Sequence, residues 1–247
     1  MDVHTHTHTE RKRFTHYLWE FLMLFLAVFC GFLAENIREH MIEKRRAKEY
    51  IKNFVEDLKI DTTTFSRIIK INELKDIVFE DLFKCYDTIR KNWKSSSCLV
   101  SLVRNSRTNS SITFSNGTIQ QLKNAGGYRL LSDEDRDSII SYDNSIQAYK
   151  DYESTFFQES QDIVRNTASI IVDFDANKFL SRSLAGADST HTEIPLLFSD
   201  DKVLLNKYFN ELLRYKSANR GQISQLKNRK TKAETLLYYF KNKYHLE

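Results

Sequence analysis

Three histidines at alternating positions, His4, His6 and His8, open the chain. In an extended segment residues two apart point the same way, so the three imidazoles would share one face and offer a weak site for zinc, copper or nickel. No carboxylate or cysteine beside them completes a defined coordination geometry, and no metal is assigned. Cys85 and Cys98 stand alone, without the C-x-x-C spacing of a zinc or redox site. They leave two alternatives open: a disulfide across the end of a helix if the body lies outside the cytoplasm, or two buried or idle thiols. Gly126 and Gly127 lack the preceding strand and the Gly-Lys-Ser/Thr ending of a phosphate loop, so they read as a helix stop. Asp188 and His191 form an isolated pair in a loop. No nucleophile elbow, no H-E-x-x-H and no di-iron E-x-x-H pair is present, and the abundant carboxylates fall on polar helix faces. The chain therefore reads as a non-enzyme that needs no cofactor.

The element that organises the sequence is residues 17–36, YLWEFLMLFLAVFCGFLAEN. Phe21 to Ala34 are fourteen residues without charge, about 21 Å of helix, which is short of a hydrocarbon core of roughly 30 Å. Tyr17, Leu18 and Trp19 extend the run, interrupted only by Glu20, whose carboxylate at one end can reach the headgroups while the two aromatic rings suit the interface. A buried helix of a soluble protein would show polar residues on one face of such a window, and none is there. Signal-peptide cleavage is disfavoured because Phe32, Leu33 and Ala34 put a ring where the peptidase needs a small side chain. Residues 17–36 are read as a retained transmembrane helix behind a short polar tail, 1–16.

Composition sets the class of the remainder. Six Gly and a single Pro, Pro195, in 247 residues favour long uninterrupted helices over a turn-rich β fold. The net charge of +4 comes from Lys and Arg interleaved with Asp and Glu, so nucleic-acid binding is not indicated. Residues 37–93 read as a juxtamembrane segment and first long helix. Arg38, Lys44, Arg45, Arg46 and Lys48 form a collar suited to lipid headgroups. The helix then carries an apolar stripe of Ile51, Phe54, Val55, Leu58, Phe65, Ile68, Ile71, Leu74, Val78, Leu82, Tyr86, Ile89 and Trp93. Asp61, Thr62, Thr63 and Thr64 are poor helix formers and predict a kink or register shift.

Residues 94–131 read as a loop with a short helix, capped by Ser115 or Asn116 and stopped at the paired glycines. Ser132, with Asp133, Glu134 and Asp135 in the following turn, starts a second long helix over 132–174. Its seam runs Ile139, Tyr142, Ile146, Tyr149, Phe156, Ile163, Thr167, Ile170 and Phe174, close to coiled-coil spacing. A loop at 175–198 leads to a third long helix over 199–247, capped by Ser199 and Asp200. Its seam includes Leu205, Phe209, Leu212, Tyr215, Ile223, Leu226, Ala233, Leu237, Phe240 and Tyr244. The expected fold is all-α: one transmembrane helix continuing into an elongated antiparallel helical bundle with a coiled-coil-like body.

The run WEFLMLFLAVFCGFLAENIREH followed by EYIKNFVEDLKIDT resembles an uncharacterised family of single-pass membrane proteins found in Bacteroidota. The shared features are a His-rich tail, a Glu at the head of the span (Glu20), a Gly inside it (Gly31) and an exit like Ala34, Glu35 and Asn36. TIQQLKNAGGYRLLSDEDRDSIISYDN and the ending LLYYFKNKYHLE are similar to the family's middle region and C-terminus. The resemblance implies location and architecture and supplies no catalytic residue.

These readings converge on a membrane-anchored helical scaffold or protein-interaction module. Its partners are the lipid bilayer and, through the small-residue face of Ala27, Gly31 and Ala34, a second copy or another membrane protein. The alternative is an extracytoplasmic ligand-sensing bundle that acts through a separate signalling partner. Three basic residues precede the span and six follow it within about twenty, which favours a cytoplasmic body. Against that, Arg11, Lys12 and Arg13 make the short tail awkward to export, whereas long domains cross largely regardless of charge. The expected placement is the bacterial inner membrane with the tail inside and the body in the periplasm.

Overall fold

The computed structural model describes residues 14–91, 112–171 and 201–246. His4, His6, His8, Trp93, Cys98, Phe174, Asp188, His191, Pro195, Ser199 and Asp200 lie outside the described residues. Helix α1 runs over Phe14–Lys91, α2 over Gly117–Asn124, α3 over Asp133–Tyr152, α4 over Glu159–Ile171 and α5 over Lys202–Tyr244. A 3-10 turn, Gly127–Leu130, precedes α3, and a π-helical turn, Glu153–Gln158, joins α3 to α4. Among the described residues there is no strand, and the chain is all-α.

The chain divides into two compact units, Met1–Tyr50 and Ile51–Glu247. In the first, α1 is long and apolar enough to cross a membrane, and none of its apolar window is buried. The rings of Phe21, Phe25 and Phe29 stack one turn apart, with centroids 6.4 and 5.9 Å from each other.

The second unit is a bundle of three long helical runs whose directions follow from their contacts. Phe54 meets Tyr142 and Lys75 meets Phe157, so α1 and the α3–α4 run point the same way. Helix α5 opposes both. Phe240 packs edge-on against Phe54, Gln222 bonds Asn72 and Phe209 packs on Tyr86, while Tyr239 reaches Asp135 and Tyr215 reaches Gln161.

The seam of α1 keeps strict spacing of three and four residues through Ile51, Phe54, Leu58, Asp61, Phe65, Ile68, Asn72, Lys75, Phe79 and Leu82, all buried. It departs from the expected stripe at its polar members. Asp61, Asn72 and Lys75 face inward, and Leu74 is 57% exposed because its neighbours hold the seam positions. Nor does α1 break at residues 61–64. The hydroxyls of Thr62 and Thr63 donate back to the Lys59 carbonyl (2.8 and 3.0 Å) and Ser66 to that of Thr62 (2.8 Å), which accommodates them within a continuous helix.

Two carboxylates of α1 dock α2. Asp61 accepts the Ser115 amide (2.9 Å) and the Tyr142 hydroxyl (2.7 Å), and Asp57 accepts the Thr118 amide (3.2 Å). Negative charge at a helix N-terminus satisfies amides that have no partner within the helix. The expected caps Ser115 and Asn116 give way to these, since Asn116 makes no side-chain capping bond. Gly126, at φ 63°, supplies the left-handed turn after α2. For α5 the cap is Asp201, which accepts the Val203 amide at 2.8 Å.

Ser132 caps α3 as expected, but Asp135 does more than complement the helix dipole. Fully buried, it accepts from Tyr239 (2.9 Å) and Lys243 (2.8 Å) on one oxygen and from Ser132 (2.7 Å) and Tyr244 (2.6 Å) on the other. Burial pushes its pKa up, and the bonds from Lys243, Tyr244, Ser132 and Tyr239 more than reverse this, holding it below the ordinary 3.8. The native state therefore binds this proton less tightly than the unfolded chain. The stabilisation is complete above 3.8 and is lost as pH falls through the native value. Asp135→Asn should lower stability at neutral pH by about 2–4 kcal/mol and flatten the acid limb. Urea titrations of the full chain in detergent between about pH 5 and pH 2 measure this, and a variant as acid-sensitive as the parent would refute it.

Candidate functional site

Midway along the bundle the apolar seam is replaced by a layer of polar side chains from all three runs. Its centre is Gln222 of α5, which has no exposed surface. Its Oε1 accepts from Asn72 Nδ2 of α1 (2.7 Å), while its Nε2 donates to the Tyr149 hydroxyl of α3 (2.8 Å) and, at 3.4 Å, to Glu153 Oε1. Tyr149 in turn donates to Glu153 (3.4 Å). One turn away Asn219 Nδ2 donates to the Asn72 carbonyl (2.9 Å). Asn72 Oδ1 and Asn219 Oδ1 are buried without a hydrogen-bond partner, a cost that only a well-packed surround can carry.

The layer continues into a cradle around Lys75. Its Nζ lies 3.3 Å from the Tyr215 hydroxyl and over the rings of Phe157 and Tyr215, 5.5 and 5.7 Å from their centroids. Gln161 Nε2 of α4 donates to the same Tyr215 oxygen at 3.0 Å. Burial, with the charge of Arg165 adding to it, pushes the Lys75 pKa down to about 8. Burial raises Glu153, against the pull of its Tyr149 hydrogen bond. Burial also raises Tyr215 and Tyr149, so both phenols stay protonated.

Local sequence explains the placement. Glu153 stands one ordinary helical turn after Tyr149, and the π turn that follows adds one residue to the helix between α3 and α4, which puts Phe157 rather than Phe156 in the core. Tyr152 lies over Gly221, where a Cβ would overlap its hydroxyl, and donates to the Ala218 carbonyl (3.1 Å). A side chain at position 221 would make the Tyr152 hydroxyl shift from its place over α5. On the outside, Glu73–Lys227, Asp76–Arg220 and Glu80 with Arg220 and Lys216 line the α1–α5 edge. The exposed Glu73–Lys227 pair contributes little, whereas Lys216 is buried where it meets Glu80.

The residues singled out in the anchor all lie on α1 and none is brought to this layer. Tyr17, Trp19, Glu20, Gly31 and Ala34 are exposed, with Glu20 paired to His16 at 3.2 Å, and a Cβ at Gly31 would meet nothing within 4 Å. Cys85 is buried and disulfide-bonded, which excludes the idle-thiol alternative for it; Cys30 is a free, exposed thiol. Among the described residues no group of His, Cys, Asp or Glu is arranged to hold a metal. The polar layer was missed because its members break a hydrophobic pattern. The signal that could have found it is the strict three-four spacing, which predicts inward positions whatever residues occupy them.

The chemistry available here is register selection: Gln222 finds Asn72 and Tyr149 together at one axial alignment of the helices. Comparison with protein-family models, curated proteins and solved structures gave no match.

Lys75 offers a direct measurement of what the layer costs. The unfolded chain holds the proton up to about 10.5 and the folded chain only to about 8, so the penalty is full below pH 8 and shrinks as pH rises towards 10.5. Lys75→Met should stabilise the full chain by about 1–3 kcal/mol at pH 7. The advantage should narrow between about pH 8 and pH 10 in chemical-denaturation curves, and a variant less stable than the parent at pH 7 would contradict it.

Proposed function

We propose that this protein is a membrane-anchored helical scaffold or protein-interaction module. The observation that carries the reading is α1 itself, in which one uninterrupted helix contains both an apolar, unburied segment of spanning length and a seam of the bundle. A span followed in the same chain by a folded bundle is suited to holding that bundle at a membrane, and the exposed small residues Ala27, Gly31 and Ala34 suit contact with a second copy or another membrane protein. The reading is non-enzymatic, because the buried polar side chains are engaged with one another across the helices. The resemblance of the anchor to the Bacteroidota family of single-pass membrane proteins implies the same architecture.

A second reading, an extracytoplasmic ligand-sensing bundle acting through a separate signalling partner, is favoured by the π turn and the polar layer. Wide helical turns recur at functional sites, and small helix shifts can pass between domains. For either reading we place the body in the periplasm of an inner-membrane protein. The support is the disulfide at Cys85, since structural disulfides persist in oxidising compartments.

Isolation of the full chain from membranes in mild detergent, followed by native mass spectrometry, should give a homo-oligomer or a stoichiometric complex with another membrane protein. A monomer carrying a small molecule would replace the scaffold with the sensor. Acid-quenched cells treated with a thiol reagent should leave Cys85 unmodified until reductant is added. Modification of Cys85 without reduction would put the body in the cytoplasm.

A further inference from the structure

The helical run from α3 to α4 carries two overlapping seams. Up to the π turn the buried positions are Ile139, Tyr142, Ile146 and Tyr149. Extended at the same spacing through a regular α-helix, the seam would continue at Phe156, Ile163 and Ile170. The structure buries the next residue instead each time. Phe157, Val164 and Ile171 are 2%, 4% and 2% exposed, whereas Phe156 and Ile170 are 55% and 56% exposed. Both choices are apolar at every step, because the sequence reads Phe156-Phe157, Ile163-Val164 and Ile170-Ile171. Apolar neighbours beside a core position are ordinary on an amphipathic helix, but Phe156 and Ile170 are large apolar side chains left more than half exposed. Doublets at three successive heptad positions, starting inside the one π turn among the described residues, serve two registers.

We propose that the π turn Glu153–Gln158 is a rotation joint. Its closure to a regular α-turn would turn α4 by about 100° and shift it by about 1.5 Å, exchanging Phe157, Val164 and Ile171 for Phe156, Ile163 and Ile170 in the core. The exchange conserves buried apolar side chains, the condition for two packings of one sequence to lie close in free energy. Ser160 and Thr167 are buried now and would take the seam positions that Gln161 and Ala168 hold in the present register. Gln161 is the residue that distinguishes the two registers. Its bond to the Tyr215 hydroxyl exists in the present register and is broken in the turned one, leaving Tyr215 to Lys75. The polar layer on α1 and α5 then acts as the fixed frame against which α4 turns. The device stands whether the body scaffolds or senses.

The test uses the full chain with Cys30→Ser and the Cys85 disulfide left oxidised. Single cysteines are introduced as Val164→Cys and, as reference, Ile146→Cys; both parent residues are 4% exposed. Opening by rotation makes the cysteine at 164 react with a maleimide at least tenfold faster than that at 146. The exposed pair of changes Phe156→Lys and Ile170→Lys makes the turned register bury two charges. It should slow labelling at 164 at least tenfold and leave the reference rate unchanged. Equal rates at the two sites would overturn the proposal. So would a fast rate at 164 that ignores the two lysines, which is the signature of simple fraying from the end of α4.

Discussion

The register of three helical runs hangs on one amide. Gln222 accepts from Asn72 with its oxygen and donates to Tyr149 with its nitrogen, so a single side chain ties α5 to α1 and to α3 at once. A carboxamide in a dry interior satisfies both ends only when its neighbours sit within about 3 Å of the right places. A slip of α5 by one residue would strand the amide, the Asn72 nitrogen and the Tyr149 hydroxyl together. Leucine packing alone imposes no such discrimination, because one apolar contact substitutes for another at small cost.

Around that constraint the bundle is assembled from aromatic layers. Phe54, Tyr142 and Phe240 form one, Phe65, Phe114 and Tyr149 another, and Phe79, Phe157 and Tyr215 a third. Edge-to-face contacts dominate, which suits rings too large to interdigitate as leucines do. The tyrosines join the two kinds of packing. Tyr142, Tyr149 and Tyr215 each place a ring in an aromatic layer and a hydroxyl in a hydrogen bond, with Asp61, with Gln222 and Glu153, and with Gln161 and Lys75 respectively. The buried charge at Lys75 is tolerated through ring faces and a phenol oxygen.

Much of this architecture was legible in the sequence, and the failures share one cause. The spanning-length run, the three long helices, the Ser132 cap and the glycine stop after α2 follow from apolar spacing and turn chemistry, which act locally. Asp61, Asn72, Lys75, Gln161, Asn219 and Gln222 were assigned to no core position because hydrophobicity was the signal. Yet they occupy seam positions in register with Phe54, Phe65 and Leu226. The π turn was invisible for a different reason: an extra residue in one turn changes phase, and the apolar doublets beyond it fit either phase. The docking of α2 by Asp57 and Asp61 depends on residues far apart in the chain, which no local window contains.

The direction of α5 has a kinetic consequence. Every tie between it and α1 closes a large loop, 150 residues for Asn72 with Gln222 and 144 for Asp76 with Arg220. Helical bundles ordinarily fold fast because their contacts are local, and this one gives up that advantage. Until α5 is made, the rings of Phe54 and Phe79 lack the faces that Phe240 and Tyr215 supply. Completion of the core accordingly waits for α5, which supplies these contacts to helices synthesised long before it.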